Sequence, residues 1–425
     1  MRPVPAPSPA ARPSLASAAT LLLFACEPQN PLETSQSSGR PAAVALSTYF
    51  PPAESKGGWR ATTDAARIRG LGIDRDKLKA LGAYLMSLPW QNYSTGVSGF
   101  NPSNKAAIVV KSGWIVGEYY NQAGADKALY YTASNGKTFA MLLAGHMAQA
   151  NPGLDLVPSS KLYDKRWLPQ GFPLTDSRKA AITLDHVFRH GSGIIPEDHH
   201  QIASGAVQTE SNWDFGPFTV GRDPDWPQST RLAYAPGKPS SYDKGSPYSS
   251  VAFNHLSLVF RNVTGKEASV YLKTAMLDRI GVGKTGYKVT KGMGDTRFAA
   301  AGNMLMGARD FMRIGYLMLH EGDWNGRPIF PATWLRRFTG STAYPNIRSN
   351  RDCRWGAKYP ADLYRTTGSG VNWVLVVPSL DLLLTFNGRT PASKRAEIDR
   401  VSLERLFAAV TDRYVACDGT VVNGD

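Results

Sequence analysis

A pair of short apolar runs stands near each end of this 425-residue chain. Ala106-Ala-Ile-Val-Val110, a Lys-Ser-Gly turn and Trp114-Ile-Val-Gly-Glu-Tyr-Tyr120 read as an antiparallel hairpin. Near the other end, Trp373-Val-Leu-Val-Val-Pro378 and Leu382-Leu-Leu-Thr-Phe386 read as two strands around a tight turn. Helices flank both pairs. Asp74 caps one that carries Leu78, Leu81 and Leu85 on one side, and Leu403, Leu406, Phe407 and Val410 recur at i, i+3, i+4 and i+7. Two strands and a helix early, two strands and a helix late, with helices between, predict an α/β (α+β) fold. One antiparallel sheet is built from both chain ends and flanked by helices, with a mostly helical subdomain inserted over about 130–295.

The N-terminus reads as a targeting segment. Arg2 and Arg12 precede the apolar run Leu15-Ala-Ser-Ala-Ala-Thr-Leu-Leu-Leu-Phe24, which ends in Ala25-Cys26. About ten apolar residues suit a signal peptide and are too few to span a bilayer. Leu23-Phe24-Ala25-Cys26 resembles a bacterial lipobox. That implies a signal peptide over 1–26, lipidation of Cys26, and an exported protein anchored at the membrane in the periplasm or cell envelope. Phe24 departs from the small or β-branched residue usual there, and an ordinary secretory signal is the alternative. Residues 27–60, rich in Pro, Ser, Gln and Gly, read as a flexible tether. The domain then fills 61–415, with a tail over 416–425.

Cys353 and Cys417 are the remaining cysteines, and in an oxidising compartment they either pair or stay as two buried thiols. The formal charge is +14, two units of which leave with Arg2 and Arg12, and the balance suits contact with an anionic cell-envelope surface. Lysines and arginines are scattered rather than massed in a stripe, so no nucleic-acid partner is expected. No C-x-x-C, H-E-x-x-H or clustered His/Cys set argues for a metal.

Chemistry enters at Tyr131-Thr-Ala-Ser134-Asn-Gly-Lys137-Thr138, which opens a helix marked by Phe139, Leu143, His146 and Met147. Ser134 and Lys137 stand three apart, hence on one helical face. A serine hydroxyl needs a base beside it, and a lysine desolvated in a cleft loses its proton near neutral pH. The helix N-terminus would supply N–H groups where an oxyanion forms. Further on, Tyr248-Ser249-Ser250 precedes a helix carrying Ala252, Leu256, Val259, Phe260 and Val263 and ending at Gly265. A tyrosine placed there can reach a cleft, and beside an ammonium its phenol can relay a proton.

The ordered segments resemble the serine hydrolases related to class C β-lactamases. Tyr248-Ser-Ser-Val-Ala-Phe-Asn-His-Leu-Ser-Leu-Val-Phe-Arg-Asn-Val-Thr-Gly265 is similar to that family's Tyr-x-Asn helix. Ile182-Thr-Leu-Asp-His186-Val-Phe-Arg-His190-Gly-Ser-Gly193 is similar to its "ITxxHLLTHTSG" segment. Ala299-Ala-Ala-Gly-Asn-Met, continuing through Arg309-Asp-Phe-Met-Arg-Ile-Gly315, is similar to its "GGLxSTARDMARFG" helix. The resemblance covers about 70–410 and implies a β-lactamase/transpeptidase-like fold. It also implies Ser134 as nucleophile, Lys137 and Tyr248 as its base, no cofactor, and structural parts for His186 and His190. Pro236-Gly237 usually stands closer to the family's tyrosine, which leaves Tyr242 as the alternative to Tyr248.

The family's third motif, Lys-Thr-Gly or His-x-Gly, has a literal copy in Lys284-Thr285-Gly286, but this precedes the 299–315 segment and leads into no apolar strand. The positional match is Thr366-Thr367-Gly368-Ser369-Gly370, just before Trp373. There the N–H of Ser369 would face that of Ser134 as second oxyanion donor, with Gly368, Gly370, Ser250 and Asn135 around the substrate. Thr366 stands where the family has a lysine, and Arg365, adjacent on a strand, points to the opposite face. Ser250 replaces an asparagine. Both departures favour the branch resembling carboxylesterases and 6-aminohexanoate-oligomer hydrolases. The expected activity is cleavage of a small-molecule ester or amide through an acyl-enzyme. The alternatives are a β-lactamase or D,D-peptidase-like enzyme, or a non-catalytic envelope-binding lipoprotein of the same fold. No G-x-S-x-G elbow supports an α/β-hydrolase, and neither Gly-Lys-Thr sequence has the upstream glycine of a phosphate loop.

Overall fold

The computed structural model describes residues 45–91, 100–194, 226–232, 234–237, 248–289, 300, 302 and 304–422. The expected signal peptide, Cys26 and Tyr242 lie outside them. In chain order the strands are β1 (Ala106–Lys111), β2 (Trp114–Tyr120), β3 (Leu129–Tyr131), β4 (Tyr287–Val289) and β5 (Met304–Gly307). They continue as β6 (Ile347–Ser349), β7 (Tyr364–Thr366), β8 (Trp373–Val377), β9 (Leu382–Asn387), β10 (Tyr414–Val415) and β11 (Val421–Val422). The helices are α1 (Ala65–Gly70), α2 (Arg75–Ser87), α3 (Asn135–Ala150), α4 (Leu184–Phe188) and α5 (Trp226–Ser229). They continue as α6 (Ser250–Thr264), α7 (Ala268–Leu272), α8 (Ala308–Leu319), α9 (Ala332–Thr339) and α10 (Arg395–Ala409).

β1, β8 and β9 are buried along their whole length, and runs that are apolar on both faces are what a strand covered on both sides requires. The main sheet has the order β2-β1-β9-β8-β7-β6, every pair antiparallel. β9 joins the two chain ends, pairing Ala106↔Asn387 through Lys111↔Leu382 on one side and Trp373↔Phe386 through Val377↔Leu382 on the other. Leu382, Leu384 and Phe386 pack toward Leu78, Leu81 and Leu85 of α2 and Leu403 and Leu406 of α10. Alternate residues Val374, Val376 and Leu383 face α3, α6 and α8. Gly315 lets α8 lie close on the sheet, since a Cβ there would stand 2.1 Å from Val374 Cγ1. The helical segments between β3 and β4 belong to this second face, as expected of the insertion.

A second, three-stranded sheet, β3-β5-β4, carries the chain into α3. Its edge strand β4 directly follows Lys284-Thr285-Gly286. It is a short one with no buried residue, outside the main sheet.

The expected tether reaches too far into the chain, because residues 45–60 pack on the domain. Trp59 is buried and its Nε1–H donates to Arg309 O at 3.2 Å. The buried Arg313 guanidinium donates to Pro51 O (2.8 Å), Pro52 O (2.6 Å) and Glu54 Oε1 (2.7 Å). Phe50 lies against Tyr316, His320 and Trp324. The tail is held too: Cys353 and Cys417 form a disulfide, and β10 pairs with β11.

Lys179 fastens α5 to the insertion. Its Nζ donates to Thr175 Oγ1 (2.9 Å), Pro227 O (3.3 Å) and Gln228 O, while Tyr163 OH donates to Pro227 O at 3.0 Å. Burial pushes Lys179 down from 10.5 to about 8. Between those values the unfolded chain keeps a proton that the folded one has shed, so this group's contribution to stability rises with pH across the window. Thermal unfolding followed from pH 8 to 10.5 should therefore show wild type gaining on Lys179→Met. A constant difference between the two would count against it.

Candidate active site

Ser134 is delivered by β3 and a strained step. Thr132 donates through both its backbone N–H and its Oγ1 to Met304 O, each at 2.9 Å, fixing the chain beside β5. Ala133 then takes φ +50°, a left-handed conformation that costs an L-residue roughly 1–2 kcal/mol. Ser134 follows in the N-cap position of α3, yet its hydroxyl makes no cap bond. Two other polar caps behave otherwise: Asp74 accepts N–H bonds from Asp76 and Lys77, and Ser249 accepts one from Ala252. The Ser134 hydroxyl is thus left to face the cleft.

One helical turn on, Lys137 is only 1% exposed. Its Nζ donates to Ser250 Oγ at 3.0 Å and to Ser134 Oγ at 3.4 Å, and lies 4.6 Å from the centre of the Tyr248 ring. Tyr248 OH donates to Ser134 Oγ at 2.8 Å. Tyr248, the cap residue Ser249 and the first residue of α6, Ser250, therefore divide the work. Tyr248 reaches the nucleophile, Ser249 caps the helix, and Ser250 holds the lysine.

His190 stacks on Tyr248, with ring centres 4.0 Å apart and planes 21° from parallel. Its Nδ1 accepts the Ser249 N–H at 3.1 Å, which places the ring proton on Nε2, 2.8 Å from Asn346 Oδ1. Burial, and after it the Lys137 charge, pushes His190 down to about 3, so the ring is neutral. His186 is a helix-cap residue, sharing a capping box with Thr183 at the start of α4. Neither forms a Ser-His pair with Ser134.

The third-motif segment closes the other side. Gly368 sits so near the start of α3 that a Cβ on it would stand 2.4 Å from Asn135 Nδ2 and 2.7 Å from Thr132 O. Beyond it the chain turns through exposed Ser369, Gly370 (φ +74°) and Val371 (φ +63°). A β-branched residue at positive φ is costly, and hydrogen bonds to the two residues before it brace the turn. Thr390 donates from its N–H and its Oγ1 to Gly370 O, each at 3.1 Å, and Asn372 Nδ2 donates to Ser369 O at 2.6 Å.

A sequence profile of the Beta-lactamase family matches residues 102–406. The chain belongs to the β-lactamase family. Solved structures share the fold at low identity. A candidate 6-aminohexanoate-dimer hydrolase from Bacillus anthracis is 15% identical over 85% of this chain and 89% of that one, with a TM-score of 0.52. A penicillin-binding protein homologue from Caulobacter crescentus is 12% identical over 78% and 98%, with a TM-score of 0.53. EstCE1, described as a hydrolase with promiscuous acyltransferase activity, is 11% identical over 77% and 97%, also at 0.53. Sequence comparison with curated proteins yields no match.

Within the β-lactamase family frame, the departures acquire a structural account. Ser250 touches the lysine directly, its Oγ accepting from Lys137 Nζ at 3.0 Å. Thr366 is fully buried, and its Oγ1 accepts the Val374 N–H at 3.0 Å, taking a ladder bond rather than projecting a charge into the cleft. Arg365 does point the other way, forming a two-pronged ion pair with Asp399 of α10. Asn135 is wholly buried: its amide donates to Thr132 O (2.6 Å) and Asn372 O (3.1 Å), tying α3 to the main sheet beside Gly368. Adjacent helical residues diverge by about 100°, which turns Asn135 under the sheet while Ser134 faces out. Asn346 escaped the sequence reading, because nothing local marks a residue whose partner is 156 positions away.

Proposed function

We propose that this protein is a serine hydrolase that cleaves an ester or amide bond of a small molecule through an acyl-enzyme on Ser134. One observation carries the reading: Ser134 Oγ, unused as a cap, lies 2.8 Å from Tyr248 OH and 3.4 Å from the Nζ of a buried lysine. Ser134 attacks the carbonyl carbon while Lys137, in its amine form and coupled through Tyr248, takes the hydroxyl proton. The N–H groups of Ser134 and Ser369 hold the developing oxyanion. The proton then passes to the leaving alcohol or amine, the acyl group stays on Ser134, and water activated at Tyr248 releases the acid. No cofactor enters these steps.

The uncharged Thr366 and the outward Arg365 favour esters and neutral amides over β-lactams, whose carboxylate a lysine at 366 would bind. Export and lipidation at Cys26 form part of the same proposal and rest on the sequence alone.

Intact-mass spectrometry tests it after separate incubation with a fluorophosphonate, a short p-nitrophenyl ester and a penicillin. An adduct from the first two, mapped to Ser134, is expected. A penicillin adduct alone would move the assignment to the β-lactam branch. No adduct on folded protein would favour the non-catalytic envelope-binding reading.

A further inference from the structure

We infer that His190, fixed by Asn346, is the positioning residue for Tyr248: a neutral imidazole that sets the plane and reach of the phenol without taking part in proton transfer. The inference rests on the assignment of Ser134, Lys137 and Tyr248 as the reacting groups.

Both ring nitrogens of His190 are committed. Nδ1 accepts the N–H of Ser249, the residue that follows Tyr248 and caps α6, while Nε2–H donates to Asn346. The ring therefore has no lone pair to offer Ser134, which sets it apart from the base of a Ser-His pair. What it does offer is a flat surface 4.0 Å from the phenol and a fixed bond to the phenol's own backbone. Phe253, one helical turn along α6, closes on His190 at 5.1 Å between ring centres.

Asn346 anchors the arrangement to the nucleophile's helix. It is buried, and its backbone oxygen accepts from Thr138 Oγ1 at 3.1 Å, one residue after Lys137. A closed circuit results: α3 to Asn346, to His190, to Tyr248, and back to Ser134 at the head of α3. Displacing any member moves the phenol relative to the serine. His190 holds φ +57°, a conformation Gly or Asn would meet more cheaply, and such strain persists where the surrounding structure over-determines it. The neutral ring adds no positive charge beside Lys137, whereas an imidazolium there would favour the lysine's amine form.

The experiment uses the full chain and three variants. His190→Phe keeps a ring without nitrogens, His190→Gln keeps polar atoms without a ring, and Asn346→Asp keeps the shape and puts a carboxylate against Nε2–H. With a p-nitrophenyl ester, both His190 variants should lose kcat by on the order of 10- to 100-fold with KM within about twofold. Asn346→Asp should charge the imidazole and move the acidic limb of the kcat/KM profile to lower pH by about half a unit. Folded His190 variants with unchanged kcat, or an Asn346→Asp profile that stays put or moves to higher pH, would overturn the inference. A wild-type chain that takes no fluorophosphonate label overturns the site assignment itself and this inference with it. A labelled wild type with indifferent variants overturns the inference alone.

Discussion

Ser134→Ala is expected to reduce ester hydrolysis by on the order of 10⁴- to 10⁶-fold and to abolish the fluorophosphonate adduct, with thermal unfolding essentially unchanged. The large kinetic effect follows from the serine's place: its Oγ is the atom that both Tyr248 OH and Lys137 Nζ approach. The small structural effect follows from what the hydroxyl does not do. It makes no cap bond to α3, so its removal takes no partner from the helix N-terminus. Replacing a capping hydroxyl by Ala typically costs about 1 kcal/mol, and that loss should be seen at Ser249, which does cap, and not at Ser134. Initial rates, intact mass and melting curves on the two Ser→Ala variants decide it. A Ser134→Ala enzyme with undiminished rate would end the acyl-enzyme mechanism, whatever the fold.

The fold was largely legible because its main sheet is made of long signals. Trp373–Val377 and Leu382–Asn387 are apolar on both faces, and α2 and α10 carry helical spacing on the face they bury. The small sheet was not legible, since three- and four-residue strands contain too few alternations to stand out. Residues 45–60 look like linker by their Pro, Ser and Gly content. Their role is decided instead by a few aromatic anchors and by Arg313, more than 250 positions away. At the site, the structure brings together the groups that local spacing singled out, Ser134 with Lys137 and the tyrosine before α6. Asn135, next to Ser134 in sequence, is turned about 100° from it and is buried against Thr132 and Asn372. The pairing of His190 with Asn346 had no local signature at all.

Lys137→Met is expected to separate activity from stability. The side chain is 1% exposed, and burying a lysine away from water is costly in either protonation state. Its contacts in the cleft include two hydroxyl oxygens, of Ser250 at 3.0 Å and Ser134 at 3.4 Å, and the faces of Tyr248 and Phe253 at 4.6 and 5.8 Å. A methionine of similar length fills much of that space and is compatible with both rings. Turnover should fall by on the order of 10³-fold, the size usual for losing a positioned base. The melting temperature should stay level or rise, because the site trades stability for a reactive amine. Lys137→Arg completes the argument: it keeps the positive charge but cannot give up its proton in a protein, so it should be nearly as inactive. If Lys137→Arg retained activity near wild type, Lys137 would act by its charge alone, and the base would have to be Tyr248.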